Sequence, residues 1–212
     1  MKDTATFVER EIMEAKIYYG LRLDLVTPLC QNQEFWRLAP IPILYMAQAF
    51  DSMCVLALAK VFAEDREPGL DRLVQAAKDV SVEVAEANHS EVVKSKKIRD
   101  VLKDRFNGNR ATFLRNADSY PKQIREIREK LNPLRNIQRA HNFPERAERT
   151  ERSWLEVREW LAFAERVYGA AMWASGEGSS AEVRFLPVTF DADVQHMLSV
   201  IYEGLSSKAC VH

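Results

Sequence analysis

Apolar residues recur at helical spacing along nearly the whole chain, and the points where that rhythm breaks divide it into elements. Phe7, Met13, Ile17, Leu21 and Leu25 predict a first helix from about residue 3 to Val26, closed by Pro28. A second runs from about Pro42 to Phe62; it is apolar on most of its circumference and should sit centrally. "EDREPG" interrupts the chain, and a third helix is expected from Leu70 to Ala87. "ANHSE" at 87–91 reads as a turn with Ser90 as a cap. A basic helix from Glu91 to Phe106 follows, ended by "NGN" at 107–109, and the next runs from Arg110 to Lys130 with a kink or restart at Pro121.

The stretch "LNPLRNIQRAHNFPER" at 131–146 then reads as a short helix of its own. Asn132 would cap its N-terminus and Pro133 would take the first helical position, where the missing N–H costs nothing. Pro144 turns the preceding residue away from helical angles. Arg135 would lie near the start of this helix and His141 near its end. A long helix from about Arg146 to Ala174 comes next. Trp154, Leu161 and Tyr168 repeat every seven residues, and Val157, Ala164 and Ala171 repeat between them, which makes a two-column apolar seam. "SGEGSS" is a flexible break, "VRFLPVTF" reads as extended, and Asp191 is placed to cap a final helix to about Leu205.

The pattern holds no internal repeat and no convincing pair of strands. It predicts an all-α, antiparallel helical bundle over residues 1–175, with residues 176–212 as a linker and a C-terminal helical appendage packed on the same domain. At 212 residues, 47% of them hydrophobic and only 7 glycine, the chain can bury a core without metal or disulfides and is not a disordered sequence. Cys30, Cys54 and Cys210 are scattered thiols with no metal-ligand spacing, so neither a bound metal nor a cofactor is expected. They point to a reducing cytoplasm. The charged N-terminus lacks the apolar stretch of a signal peptide. "IPILYMAQAFDSMCVLALAKVF" is about long enough to span a bilayer, but Gln48, Asp51, Ser52 and Lys60 interrupt it, and a buried core helix is expected rather than a membrane partner.

Charge changes the picture more. The whole chain carries −1, yet residues 1–93 hold 9 basic and 15 acidic side chains, residues 94–139 hold 14 and 5, and residues 140–212 hold 7 and 11. The three segments therefore balance at −6, +9 and −4. Lysines and arginines gathered in one region can neutralise phosphates even on a neutral protein, although such runs are also ordinary solvated helix faces. Lys97, Lys103, Arg128 and Arg139 are the candidate RNA contacts. Phe106, Phe113 and Tyr120 are the few aromatic residues in this region able to stack on unpaired bases.

Arg135, Asn136 and His141 carry the candidate chemistry. RNA holds its own nucleophile, the 2′-OH, so cleavage needs no metal if a base removes that proton and an acid protonates the leaving 5′-oxygen. Histidine suits proton transfer near neutral pH, and the planar fork of arginine suits charge growing on a phosphate. Asn136 is placed to orient a phosphate or fix a ring tautomer. Six residues along a helix advance about 9 Å and leave two side chains about 120° apart, so the pair meets only if arginine reaches round, the helix loosens, or two copies meet across a dimer. Read from spacing alone, His141 is equally a helix C-terminal residue answering the last carbonyls.

"LRNIQRAHN" resembles the Arg-(four to six residues)-His signature of the HEPN superfamily, in the form Arg-Asn-x-x-x-x-His. The wider layout, with "FWRLAPIPILYMAQAFDSMCVLALAKVF" early and an acidic break leading into "PGLDRLVQAAKD", is similar to the AbiU-like abortive-infection branch over about residues 10–170. The resemblance implies a helical bundle and a homodimer. It also implies metal-independent endoribonuclease action in phage defence or as the toxin of a toxin–antitoxin pair, with a nucleotidyltransferase-like antitoxin as a partner. By position Arg135, Asn136 and His141 match the catalytic residues of the family. Phe143 stands where one subgroup has a tyrosine that its partner modifies, which puts that route of regulation in question. The alternative from another class is a non-catalytic helical module that binds RNA or a protein.

The remaining candidates read as structural or surface residues. His89 and His196 have no partner nearby in sequence, and His212 is terminal. Gln48, Asp51 and Ser52 form a polar strip on the central helix that either is solvated or faces a cleft.

Overall fold

The structure, a computed structural model, describes residues 1–64, 68–139, 147–177 and 199–200. The fold is all-α, with no strand among the described residues. The helices are α1 (Lys2–Leu21), a π turn (Arg22–Val26), α2 (Thr27–Gln31), α3 (Gln33–Leu38), α4 (Pro40–Val61) and α5 (Leu70–Asp79). They continue with α6 (Val82–Val92), α7 (Lys96–Asn116), α8 (Tyr120–Arg139) and α9 (Ala147–Ala174). The chain divides into two compact units, Met1–Met13 with Ala57–Leu186 and Glu14–Leu56 with Pro187–His212. The linker and C-terminal helix expected after residue 176 lie outside the described residues, apart from Gly176, Glu177 and a helical Ser199–Val200 pair.

In the first unit α9 packs on α5 and α7, and α8 packs on α5. Val157, Leu161, Ala164, Tyr168 and Ala171 are all buried, so the seam expected on α9 is the core of this unit. The side chain of Trp154, the first of that column, lies outside the described residues. The hydroxyl of Tyr168 donates to Glu9 Oε2 at 3.1 Å, which joins α9 to α1. On α1 the buried stripe is Ala5, Val8 and Ile12, one step round from the Phe7 and Met13 of the sequence pattern. Glu11 interrupts that stripe at 1% exposure, and a carboxylate so buried must be paired. Lys60 Nζ at 2.9 Å and Arg10 Nη2 at 3.0 Å answer its two oxygens.

Some helix boundaries differ from the sequence pattern because burial on one face outweighs a local breaker, and others because of a side-chain cap. α7 runs straight through "NGN" because Phe106, Arg110, Phe113 and Ala117 form one buried column, while Gly108 is exposed and its Cβ position meets nothing within 4 Å. The expected helix over 70–87 is instead two. It breaks at Val80, and Ser81 caps α6 by accepting from the Val84 N–H at 3.3 Å. "ANHSE" lies inside α6 rather than in a turn, and Ser90 caps nothing there. His89 is a core residue, its ring 4.6 Å from that of Phe106 and nearly parallel to it. α9 ends in a Schellman motif: Glu177 N–H bonds Met172 O at 3.0 Å and Gly176 N–H bonds Trp173 O at 3.1 Å. Gly176 sits at φ 84°, and a Cβ there would lie 2.0 Å from Ala85 O.

In the second unit Pro28 does not close the first helix. The chain widens into the π turn directly before Pro28, where a regular helix would need an N–H that proline lacks. Thr27 donates its N–H to Arg22 O, five residues back, and its hydroxyl bonds the same carbonyl at 3.1 Å. Leu25, Val26 and Leu29 from this segment pack with Ile43 and Ala47 of α4. α4 is not buried all round. Ile41 and Tyr45 are 64% and 63% exposed, and Leu44 and Met53 are exposed as well, because the core of this unit covers one side of the helix. By length and composition α4 is long and apolar enough to cross a membrane, and 33% of its most apolar stretch is buried. Its C-terminal part, from Ala57 on, belongs to the first unit, where Ala57, Leu58 and Val61 are buried as expected. Asp51, half-buried on this strip, accepts from Arg22 Nε at 3.0 Å inside this unit.

Gly108→Ala should raise stability by about 1 kcal/mol through helix propensity, whereas Gly176→Ala should cost about 3 kcal/mol through positive φ and the clash with Ala85; thermal melts of both variants check this opposite pair. Burial pushes the Asp51 carboxyl up to about 6 despite the Arg22 guanidinium beside it. Unfolded, that carboxyl titrates near 3.9, so between about pH 4 and 6 the folded state binds more protons and stability falls as pH rises. Asp51→Asn should flatten this part of the pH profile in urea midpoints taken across that range.

Candidate functional site

Arg128, Arg135, Asn136 and Arg139 lie on α8, which is one continuous helix through Pro133 rather than a helix restarted at Asn132. Tyr120 and Pro121 do open it, as the expected restart at Pro121 requires. Pro133 survives in its interior because both it and Glu129, whose carbonyl loses the N–H it would have received, are exposed to water. The buried side of α8 is carried by Tyr120, Ile124 and Leu131. Arg128 and Arg135 extend this stripe, each four residues after a buried position and seven residues from one another, so both guanidinium stems turn inward.

The two arginines end differently. Arg128 Nε donates to Phe62 O at 2.7 Å, and its Nη2 donates to Ala63 O at 2.9 Å and Asp71 Oδ2 at 2.7 Å. It thereby satisfies carbonyls left open at the C-terminal end of α4 and ties them to the first turn of α5. The structure corrects the expectation for this residue: it is a clamp inside the fold, not a free phosphate contact. Arg110, unremarked in the sequence pattern, does the same at two other helix ends, donating to Ala174 O of α9 and to Val80 O after α5. Arg135 is half-buried, and its Nε is shielded from solvent with no hydrogen-bond partner among the described residues.

The other candidates divide as follows. Lys97 and Lys103 are exposed on α7. Asn136 and Arg139 lie on the last described turn of α8, their side chains outside the described residues, and His141 lies outside them altogether. Of the basic block, Lys96, Lys97, Lys103, Arg105 and Arg115 on α7 and Lys122, Arg125 and Lys130 on α8 are exposed. Lys130 is 3.4 Å from Glu156, and Lys78 is 2.7 Å from Asp118, whose carboxyl is held low by that ammonium.

Of the three candidate stacking residues, Phe106 is buried against His89 and is closed to a base. Phe113 and Tyr120 are also buried, but both line a groove between α7 and α9. Cys30 and Cys54 are free thiols, each with its pKa raised, chiefly by burial. His196, His212 and Cys210 lie outside the described residues.

No protein-family model, curated protein or solved structure matches the chain. The likeness of "LRNIQRAHN" to the HEPN signature therefore stands on those residues alone.

Removing the Arg128 side chain takes a donor from two carbonyls and from the Asp71 carboxylate. Arg128→Ala should cost about 3 kcal/mol in urea unfolding, while Lys97→Ala and Lys103→Ala should each stay within about 0.5 kcal/mol of the parent.

Proposed function

We propose that the protein is a metal-independent endoribonuclease of the HEPN type, built around Arg135, Asn136 and His141. The observation that carries this reading is Arg135 itself. It is an inward-turned arginine on the buried stripe of α8, with an Nε that finds no acceptor among the described residues, whereas Arg128 on the same stripe is held by three. A guanidinium N–H shielded from water without an acceptor is costly, and a phosphate oxygen is an acceptor that the arginine fork fits well.

In the reaction the RNA 2′-oxygen attacks the adjacent phosphorus as an imidazole takes its proton. The O2′–P bond forms, the P–O5′ bond breaks, and a protonated imidazole returns a proton to the leaving 5′-oxygen. Arg135 stabilises the charge on the non-bridging phosphate oxygens, and Asn136 orients the phosphate or the ring. The products are a 2′,3′-cyclic phosphate and a 5′-hydroxyl. One base and one acid are needed in each turnover, and a homodimer with two copies of the motif supplies both. The exposed lysines and arginines of α7 and α8 draw the RNA backbone in. Phage defence, or the toxin role of a toxin–antitoxin pair with a nucleotidyltransferase-like antitoxin, is the setting such an activity suits.

Purified protein should cut structured RNA with EDTA present and leave cyclic-phosphate ends. His141→Ala should lower the rate by about 10²- to 10⁴-fold with RNA affinity and melting temperature unchanged, and Arg135→Lys should lower it too because a point charge lacks the fork. RNA bound but never cut by the parent protein, or cut equally by His141→Ala, would replace this reading with that of a non-catalytic binding module.

A further inference from the structure

The groove between α7 and α9 lies wholly within the first unit and measures about 290 Å³. Phe113, Tyr120 and Trp173 give it an aromatic lining, and Asn109 from α7 and Glu165 from α9 add polar side chains. Gly169 also lines it, and the Cβ position of that glycine meets no atom within 4 Å. Trp173 is 7% exposed, and its indole N–H has no hydrogen-bond partner among the described residues.

The chemistry of the walls narrows the occupant. A purely apolar ligand would take water from the polar side chains of Asn109 and the neighbouring Thr112 and offer them nothing in return, which is unfavourable. A bare anion would leave the aromatic walls unused. A planar ring with donors and acceptors on its edge uses both. Two exposed arginines stand beside the groove: the Arg105 guanidinium lies over the Trp173 ring at 5.8 Å, and that of Arg166, which lines the groove, lies over Phe163 at 5.7 Å. They favour negative charge on either side of the ring. The volume sits at the lower edge of the roughly 300–1,000 Å³ usual for small-molecule sites, room for one ring system rather than two.

We infer that this groove is a subsite for a single unpaired nucleobase of the RNA strand, with the flanking phosphates held by Arg105 and Arg166. The inference rests on the reading that the protein acts on RNA and names where, away from the Arg135 centre, it holds that RNA. It makes single-stranded RNA a better ligand than a duplex, whose bases are stacked out of reach.

The test uses a short fluorescein-labelled single-stranded RNA with 2′-O-methyl groups, which cannot be cut because the nucleophile is blocked, and reads anisotropy against the full-length protein. Gly169→Leu fills the groove with a good helix former and should weaken binding about tenfold, as loss of one base contact does, while Gly169→Ala should stay within about twofold. Asn109→Leu, which removes the polar edge, should weaken binding in the same direction. A duplex of the same sequence should bind the parent and Gly169→Leu alike. If the parent holds the single strand and Gly169→Leu and Asn109→Leu hold it equally well, the subsite is wrong and the nuclease reading survives. If the parent binds neither RNA, both fall together.

Discussion

The carbonyl groups at the ends of helices α4, α5 and α9 need donors, and two arginines supply them. Arg128 reaches from α8 to Phe62 O and Ala63 O, and Arg110 reaches from α7 to Val80 O and Ala174 O. Each joins elements far apart in sequence at a point where the backbone would otherwise be left without partners in a partly dry environment. The Asp71 carboxylate, 2.7 Å from Arg128, completes one of these junctions by neutralising the guanidinium. α8 is thereby fixed in rotation as well as position. Because Arg135 follows Arg128 by two turns, the same constraint that holds the fold turns the candidate catalytic guanidinium inward.

The basic segment of residues 94–139 thus has two uses. Its inward arginines serve the fold, and its outward lysines and arginines form the charged surface on α7 and α8. Net charge per segment does not separate the two, because a clamp and a phosphate contact count alike. Their separation follows helix phase: Phe106, Arg110, Phe113 and Ala117 share the buried side of α7, while Lys97 and Arg115 lie on the opposite side. The acidic balance of the flanking segments leaves this surface the positive part of an otherwise negative chain.

The long apolar rhythm made the all-α class and the α9 seam legible, since Val157, Leu161, Ala164, Tyr168 and Ala171 repeat over many turns and a buried helix tolerates few exceptions. Local breakers were poorer guides. Gly108 and Pro133 both fall on solvent faces, where a lost propensity or a missing N–H costs little and the buried face keeps the helix whole. Pro28 is passed by a widened turn whose extra residue is held by the Thr27 hydroxyl. The break at Val80–Ser81, by contrast, carries no proline or glycine and is set by the Ser81 cap and by Arg110 thirty residues on. The role of Arg128 was beyond any local reading, because its partners lie 57 to 66 residues earlier in the chain. Arg135 was legible as a motif residue, and its inward direction became so only once α8 proved continuous.

In the proposed reaction Arg135 and His141 act as one unit on one phosphate. A double-mutant cycle on single-turnover RNA cleavage tests it most directly, with Arg135→Ala, His141→Ala and the pair compared under identical salt. Groups that work as a unit give strongly non-additive losses, so the double variant should cut scarcely more slowly than the worse single one. Losses that simply multiply would place the guanidinium and the imidazole in separate roles and contradict the account.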